Sequence, residues 1–299
     1  KITAKETAKE LGIPVVPGHF SKAQMILSGL LGRSILASRS PELHEKEAQA
    51  QGVALRYDLY DFSARGWADS DLPLVLKRLQ DQGYSGFNVT YPFKQAVVSL
   101  LDELDETAVS VGAVNTVSIR NGKLYGFNTD MAGFRDSVAE GLPGVALGNV
   151  VQLGAGGAGA AVANALLSLG VGTLQQVDVE EARARLLAEA LASRFTTARI
   201  IARTPDAVET AVADGIVNAT PIGMNGKPGM PIGEAAVEAR HWVADIIYFP
   251  PETELLRLAR QRGCRTINGI GMVIGQAARA FEIITGHVAD RSRMASSLG

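Results

Sequence analysis

The sequence predicts an α/β protein of two domains built on mostly parallel sheets. Short apolar runs alternate with helical patterns along the chain, as strands joined by covering helices do. A length of 299 residues is enough for about two ordinary domains. The 32 glycines, set against only 6% aromatic residues, suit many tight strand-to-helix turns.

Strand and helix then follow one another in order. Met25–Leu31 and Val53–Tyr57 read as strands around the helix Pro41–Gln51, which Ser40 is placed to cap. Next come the helix Leu72–Gln82, the strand Gly86–Thr90 and the helical stretch Leu104–Val111. The strands Ala113–Ile119 and Lys123–Phe127 flank Asn121-Gly122, a strong two-residue hairpin signal. A domain boundary is expected near Asp130–Gly144, where Gly141, Pro143 and Gly144 cluster. Beyond it Val150–Leu153, Leu174–Val177, Ile200–Ala202, Ile216–Asn218 and Val243–Ile247 read as strands. Ala158–Leu169, Glu180–Ala192, Glu252–Arg262 and Met272–Thr285 read as helices. The apolar face of Glu180–Ala192 is expected to carry Ala182, Leu186, Leu187, Ala190 and Leu191.

Composition narrows the function classes. With 46% hydrophobic and 20% charged residues the chain reads as folded rather than disordered. Charge is balanced, 29 basic against 31 acidic residues, with no long run of one sign, so a nucleic-acid partner is not expected. No stretch is apolar for long enough to span a bilayer, and a membrane is not expected either. The single cysteine, Cys264, excludes an internal disulfide and fits a reducing cytoplasm. His19, His44, His241 and His287 lack metal-ligand spacing, so no metal is expected. The start, Lys1–Lys9, is polar, and residues 1–24 read as a leader of unknown role.

The most specific local motif is Gly154-Ala155-Gly156-Gly157-Ala158-Gly159, after one strand and before one helix. Its G-x-G-x-x-G spacing serves a tight turn, close backbone approach to a pyrophosphate and close helix–strand packing. Asp178 follows the next strand, 19 positions after Gly159. A carboxylate there accepts hydrogen bonds from a ribose and repels a 2′-phosphate, which favours NAD over NADP. Helix capping by Asp178, and the similar loops of methyltransferases, are the alternatives. The second constellation lies earlier. Thr90 and Lys94 follow one strand, Asn115 lies in another, and Asp130 follows a third. Polar groups at strand C-termini are where α/β sheets bind ligands.

Several runs together resemble the shikimate dehydrogenase family. They are Ser38-Arg-Ser40-Pro-x-x-His44, Asn88-Val-Thr-Tyr-Pro-Phe-Lys94, Gly112-Ala-Val-Asn-Thr116, Gly126-Phe-Asn-Thr-Asp130, the glycine turn, Asn218-Ala-Thr-Pro-x-Gly223, Asp245-Ile-Ile-Tyr248 and Gly269-x-Gly-Met272-x-x-x-Gln276. The resemblance runs in order from about residue 27 to residue 294. It implies a substrate-binding catalytic domain at 25–130, a Rossmann-type doubly wound NAD domain at 131–270, and a last segment, 271–299, returning to the first. It implies that Lys94 and Asp130 form the catalytic dyad. Ser38 and Ser40 would hold a carboxylate, while Thr90, Asn115, Tyr248 and Gln276 would bind the carboxylate or ring hydroxyls. Asn218, Thr220 and Pro221 would line the cofactor cleft, with Gly271 and Met272 near the nicotinamide.

Hydride loss from a secondary alcohol requires removal of its hydroxyl proton, so a base must touch the oxygen, which suits a lysine oriented by a carboxylate. One departure is informative. NADP-using members carry Asn-Arg-Thr after the second strand of the cofactor domain, where this chain has Val177-Asp178-Val179. The expected function is therefore NAD-dependent oxidation of shikimate. Quinate or aminoshikimate as substrate and a non-catalytic NAD-binding sensor are the alternatives. The expected partner is a small polyol carboxylate. The sequence leaves a homodimer open.

Overall fold

The computed structural model describes residues 25–298. The leader read at 1–24, with His19, lies outside them. The first sheet starts with β1 (Ile26–Gly32), α1 (Ser40–Ala50), β2 (Leu55–Asp61), α2 (Leu72–Asp81) and β3 (Gly86–Val89). It is completed by β4 (Glu103–Leu104), α3 (Glu106–Val111), β5 (Thr116–Arg120) and β6 (Lys123–Phe127). Its order is β2-β1-β3-β5-β6-β4. β1 runs parallel to β2 and β3, and β5 is antiparallel to both β3 and β6. Asn121 and Gly122 both have positive φ, 51° and 75°, as the expected two-residue hairpin requires. Leu31, Phe62, Leu79, Phe87 and Val117 pack the core below this sheet.

The chain crosses between sheets on α4 (Thr129–Gly141). The second sheet is built from β7 (Asn149–Leu153), α5 (Gly157–Ser168), β8 (Thr173–Val177), α6 (Glu181–Ala192) and β9 (Arg199–Arg203). It continues with β10 (Gly215–Asn218), β11 (Trp242–Asp245), α7 (Glu254–Gln261) and β12 (Arg265–Ile267). All strands are parallel, in the order β12-β11-β10-β7-β8-β9. Strand order reverses between β7 and β10. A doubly wound sheet opens its ligand crevice at that switch point. The last helices, α8 (Ile270–Thr285) and α9 (Arg291–Ser296), leave the second sheet and pack on α4, α1, β3 and β5 of the first.

The segment expected to hold the domain boundary, Asp130–Gly144, is mostly α4, on which the chain passes from one sheet to the other. Asn128 caps that helix by accepting from Met131 N–H at 3.2 Å, and Phe134 and Val138 are buried beneath it. The cluster Gly141, Pro143, Gly144 ends the helix. Three readings are corrected. Ser40 is the first residue of α1, not its cap, and Arg39 precedes it without a side-chain cap bond. The buried face of α6 is Ala184, Ala188 and Leu191, whereas Leu186 is 68% exposed. Ala182 and Ala190 also face solvent, because the helix is rotated toward its alanines, which allow close approach to the sheet. The strand read at Val53–Tyr57 begins two residues later, at Leu55, and runs on to Asp61.

Candidate active site

Lys94 follows the turn after β3. Phe93, buried against Phe62 with ring centroids 4.4 Å apart, anchors that turn, and Lys94 O accepts from Val114 N–H at 2.8 Å. Asp130 lies in the first turn of α4, where exposed backbone N–H groups suit a carboxylate. From the C-terminal ends of β3 and β6, on the same edge of the first sheet, the two side chains meet, Lys94 Nζ to Asp130 Oδ2 at 2.6 Å. The ion pair is only partly buried, with side chains 24% and 11% exposed.

A cleft of about 550 Å³ opens beside this pair. The β1–α1 loop contributes Ser38, Arg39 and Ser40, and the end of β3 contributes Asn88 and Thr90. Asn115, Met272 and Gln276 line it too, and from the second sheet come Met224, Ile246 and Tyr248. All eight residues expected to be catalytic or substrate-binding therefore face one cavity.

Several residues without an expected role hold the first wall in place. Asp61, at the end of β2, is buried and accepts from Ser34 N–H at 3.0 Å and Ile35 N–H at 2.7 Å, at the root of the loop carrying Ser38 and Ser40. It also accepts from Ser63 and Ala64. Burial raises the Asp61 carboxyl, and these four backbone bonds more than reverse it, so its pKa is lowered. Ser38 Oγ donates to Ser40 Oγ at 3.1 Å, which sets the two hydroxyls side by side. Beneath the cavity, Tyr57 OH donates to Asn88 Oδ1 at 2.7 Å. Asn88 Nδ2 then donates to Asn115 O and Thr116 Oγ1. Asn115 is tied to α4 in turn: its Oδ1 accepts from Thr129 N–H at 2.8 Å and its Nδ2 donates to Thr129 Oγ1 at 3.0 Å. His44 stacks on Tyr57 at 4.7 Å, and burial pushes its pKa down to about 4.

The nucleotide-type turn sits across the switch point, at the C-terminal edge of β7. Each of its spaced glycines has a physical reason. Gly154 has φ +100°, and a Cβ there would stand 2.7 Å from Ala219 O. A Cβ on Gly159 would collide with Gly154 O. Gly156 and Gly157 face open space in front of α5, where first-turn N–H groups are unpaired. This cradle fits a dinucleotide pyrophosphate. Asp178 Oδ2 accepts from Ala155 N–H at 2.8 Å and Oδ1 from Glu180 N–H at 2.9 Å, so its carboxylate braces the turn instead of capping α6.

Asn218 is fully buried. It shapes the loop after β10, accepting from Thr220 N–H and Oγ1 and donating to Asp245 Oδ1 at 3.1 Å. Burial raises the pKa of Asp245. Pro221 is exposed on that loop. A second cavity, about 490 Å³, opens at this edge between Leu153, Pro205, Val208 and the Met230–Glu234 segment; sequence reading gave no sign of it. Gly271 lies outside the cleft lining and is pressed against Ser137 of α4.

Comparison with known proteins agrees with this architecture. A model of the shikimate dehydrogenase substrate binding domain matches residues 30–117, and one of the shikimate 5'-dehydrogenase C-terminal domain matches 269–298. The chain is 45% identical, over 92% of its length and 94% of the relative's, to a shikimate dehydrogenase (NADP(+)) of Pseudarthrobacter chlorophenolicus. It is 44% identical to a quinate/shikimate dehydrogenase (NAD(+)) of Corynebacterium glutamicum, over 90% of this chain and 96% of that one. Among solved structures, quinate dehydrogenase from Corynebacterium glutamicum in complex with NAD superposes with a TM-score of 0.87 at 43% identity, covering 92% and 98% of the two chains. Fold and cleft define a two-domain α/β oxidoreductase that works with a nicotinamide cofactor on a small-molecule substrate. The chain belongs to the shikimate dehydrogenase family.

Proposed function

We propose that this protein oxidises the ring hydroxyl of shikimate reversibly, with NAD as cofactor and with Lys94 and Asp130 as the acid–base pair. The observation that carries this reading is the 2.6 Å Lys94–Asp130 contact inside a cleft that also holds two serine hydroxyls. Ser38 and Ser40 hold the carboxylate, and Thr90, Asn115, Tyr248 and Gln276 orient it and the ring hydroxyls. Bound in the crevice, NAD supplies a nicotinamide that accepts hydride. Lys94 Nζ takes the proton of the reacting hydroxyl during oxidation and returns it during reduction. Asp130 holds both the amine and the hydroxyl in place.

On the cofactor side, the backbone of Gly154–Gly159 faces the pyrophosphate, Asp178 accepts from the adenosine ribose, and Asn218, Thr220 and Pro221 form the opposite lip. Gly271 and Met272 lie on the nicotinamide side. The choice of NAD rests on the Asp178 carboxylate, which repels a 2′-phosphate. We divide the chain into a substrate domain, 25–130 with 271–299, and a cofactor domain, 131–270; the two sheets and the return of α8 support this division.

Steady-state kinetics with shikimate and quinate, each against NAD and NADP, test the reading. The highest kcat/KM is expected for shikimate with NAD. A preference for NADP would overturn the role of Asp178. Quinate as the better substrate would favour the alternative suggested by relatives named quinate/shikimate dehydrogenase (NAD(+)).

A further inference from the structure

The peptide that opens the glycine turn is held at both ends. Its carbonyl, Gly154 O, accepts from two side-chain amides on neighbouring strands, Gln152 Nε2 of β7 at 3.0 Å and Gln176 Nε2 of β8 at 2.9 Å. The two residues stand opposite each other in the parallel register, and neither exposes any surface. Gln152 Nε2 also donates to Gly159 O in the first turn of α5, at 2.8 Å. The N–H of the same peptide, on Ala155, donates to Asp178.

Interior positions of a buried parallel sheet are normally apolar. Two amides there carry a desolvation cost, and their oxygens do not recover it. Gln152 Oε1 and Gln176 Oε1 have no hydrogen-bond partner among the described residues. Turning either amide over would set its oxygen against Gly154 O, so the orphaned oxygens follow from the donors' task. Methionine would fill the same space without the cost. What the amides provide and methionine cannot is a fixed direction for one carbonyl, at the glycine of the turn that has positive φ (+100°).

We propose that Gln152 and Gln176 are positioning residues for the dinucleotide. They keep the Gly154 carbonyl turned into the sheet, away from the anion, so that the mouth of the turn presents N–H groups alone. The inference rests on reading the turn as the dinucleotide site.

The test uses Gln152→Met, Gln176→Met and the double variant. It measures NADH binding by fluorescence titration, KM for NAD and for shikimate, kcat, and thermal stability. Each single change is expected to weaken NADH binding and raise KM for NAD about three- to tenfold, the range of one hydrogen bond, and the double change more. The kcat at saturating NAD and KM for shikimate stay within about twofold of the parent. Melting temperature does not fall in either single variant, since one orphaned acceptor is removed and the other amide still serves Gly154 O; in the double variant Gly154 O loses both donors and melting temperature falls while kcat holds. A double variant that binds NADH as tightly as the parent overturns the clamp while leaving the dinucleotide reading intact. So does a loss of melting temperature, kcat and NADH affinity together, which describes general loosening. A parent protein that binds neither NAD nor NADP overturns the reading of the turn and the clamp with it.

Discussion

Lys94 donates to Asp130 and lies in a cleft whose other polar residues are neutral apart from Arg39, which is turned to Glu42 and the carbonyls of Ser297 and Leu298. In the proposed reaction Lys94 carries the proton with Asp130 orienting it, and Lys94→Ala is expected to cut kcat by about 10²–10⁴. A loss below tenfold in shikimate oxidation would remove Lys94 from the chemistry. Tyr57→Phe acts one layer back. It leaves Asn88 Oδ1 buried without its donor, at a cost of about 1–3 kcal/mol in stability. It also frees the amide that supports Asn115. Expected are a lower urea midpoint and a higher KM for shikimate at unchanged KM for NAD; a rise in KM for NAD alone would contradict this placement. Thr90, Lys94, Asn115 and Asp130 were legible as polar groups near strand ends, whereas Ser38, Ser40, Tyr248 and Gln276 were placed only by the resemblance to the shikimate dehydrogenase family. Tyr57, Asp61 and the buried glutamines were not legible: Tyr57 bonds Asn88 31 positions away, Asp61 reaches Ser34 and Ile35 27 and 26 positions away, Gln176 meets Gly154 from the neighbouring strand, and no local pattern marks them.

At the level of elements, α1 joins cleft and periphery. Its inner face carries His44 under Tyr57, and one turn on it carries Glu47, buried and clasped by Arg293 of α9 at 2.7 and 2.9 Å. Burial raises the Glu47 carboxyl, but Arg293, Asp290 N–H and the Gln51 amide reverse this and lower its pKa to about 2. His44 is lowered to about 4 by burial alone. Both shifts act in one direction. Between pH 6.5 and 4 the unfolded chain binds a proton at His44 that the folded protein refuses, and between about 4.5 and 2 the same holds for Glu47. Stability is thus full above pH 6.5 and falls in two stages on acidification, the first worth on the order of 3 kcal/mol. Melting temperature measured from pH 7 to 4 should show the first stage, and His44→Asn should flatten it whatever it does at neutral pH. An unchanged slope in that variant would assign the acid sensitivity elsewhere. Helical periodicity located α1, whereas α4 escaped it. Gly133 and Gly141 weaken the intrinsic helical signal there, and the Asn128 cap with α8 packing restores the helix.

Across the whole molecule, α4 and α8 decide how the two sheets face each other. α4 leads from the first sheet to the second and carries Asp130, while α8 returns from the second and carries Met272 and Gln276. They cross at paired glycines. A Cβ on Gly133 would stand 2.6 Å from Met272 O and 2.8 Å from Gln276 N, and one on Gly275 would stand 2.9 Å from Gly133 Cα. These neighbours are backbone and cannot rotate away. On an unencumbered helix, Gly→Ala stabilises by about 1 kcal/mol. Here Gly133→Ala must part the helices, and overpacking of this kind costs about 1–3 kcal/mol, roughly 3–10 °C in melting temperature. The parting also moves Gln276 and Met272 relative to Asp130, so kcat/KM for shikimate should fall along with stability, while the isolated affinity for NADH changes less. The sequence could mark each glycine but not their meeting, because residues 133 and 275 lie in separate helices and only the assembled pair of sheets brings them together. A Gly133→Ala protein melting at or above the parent temperature would mean that the crossing is loose and the cleft is set by the sheets alone.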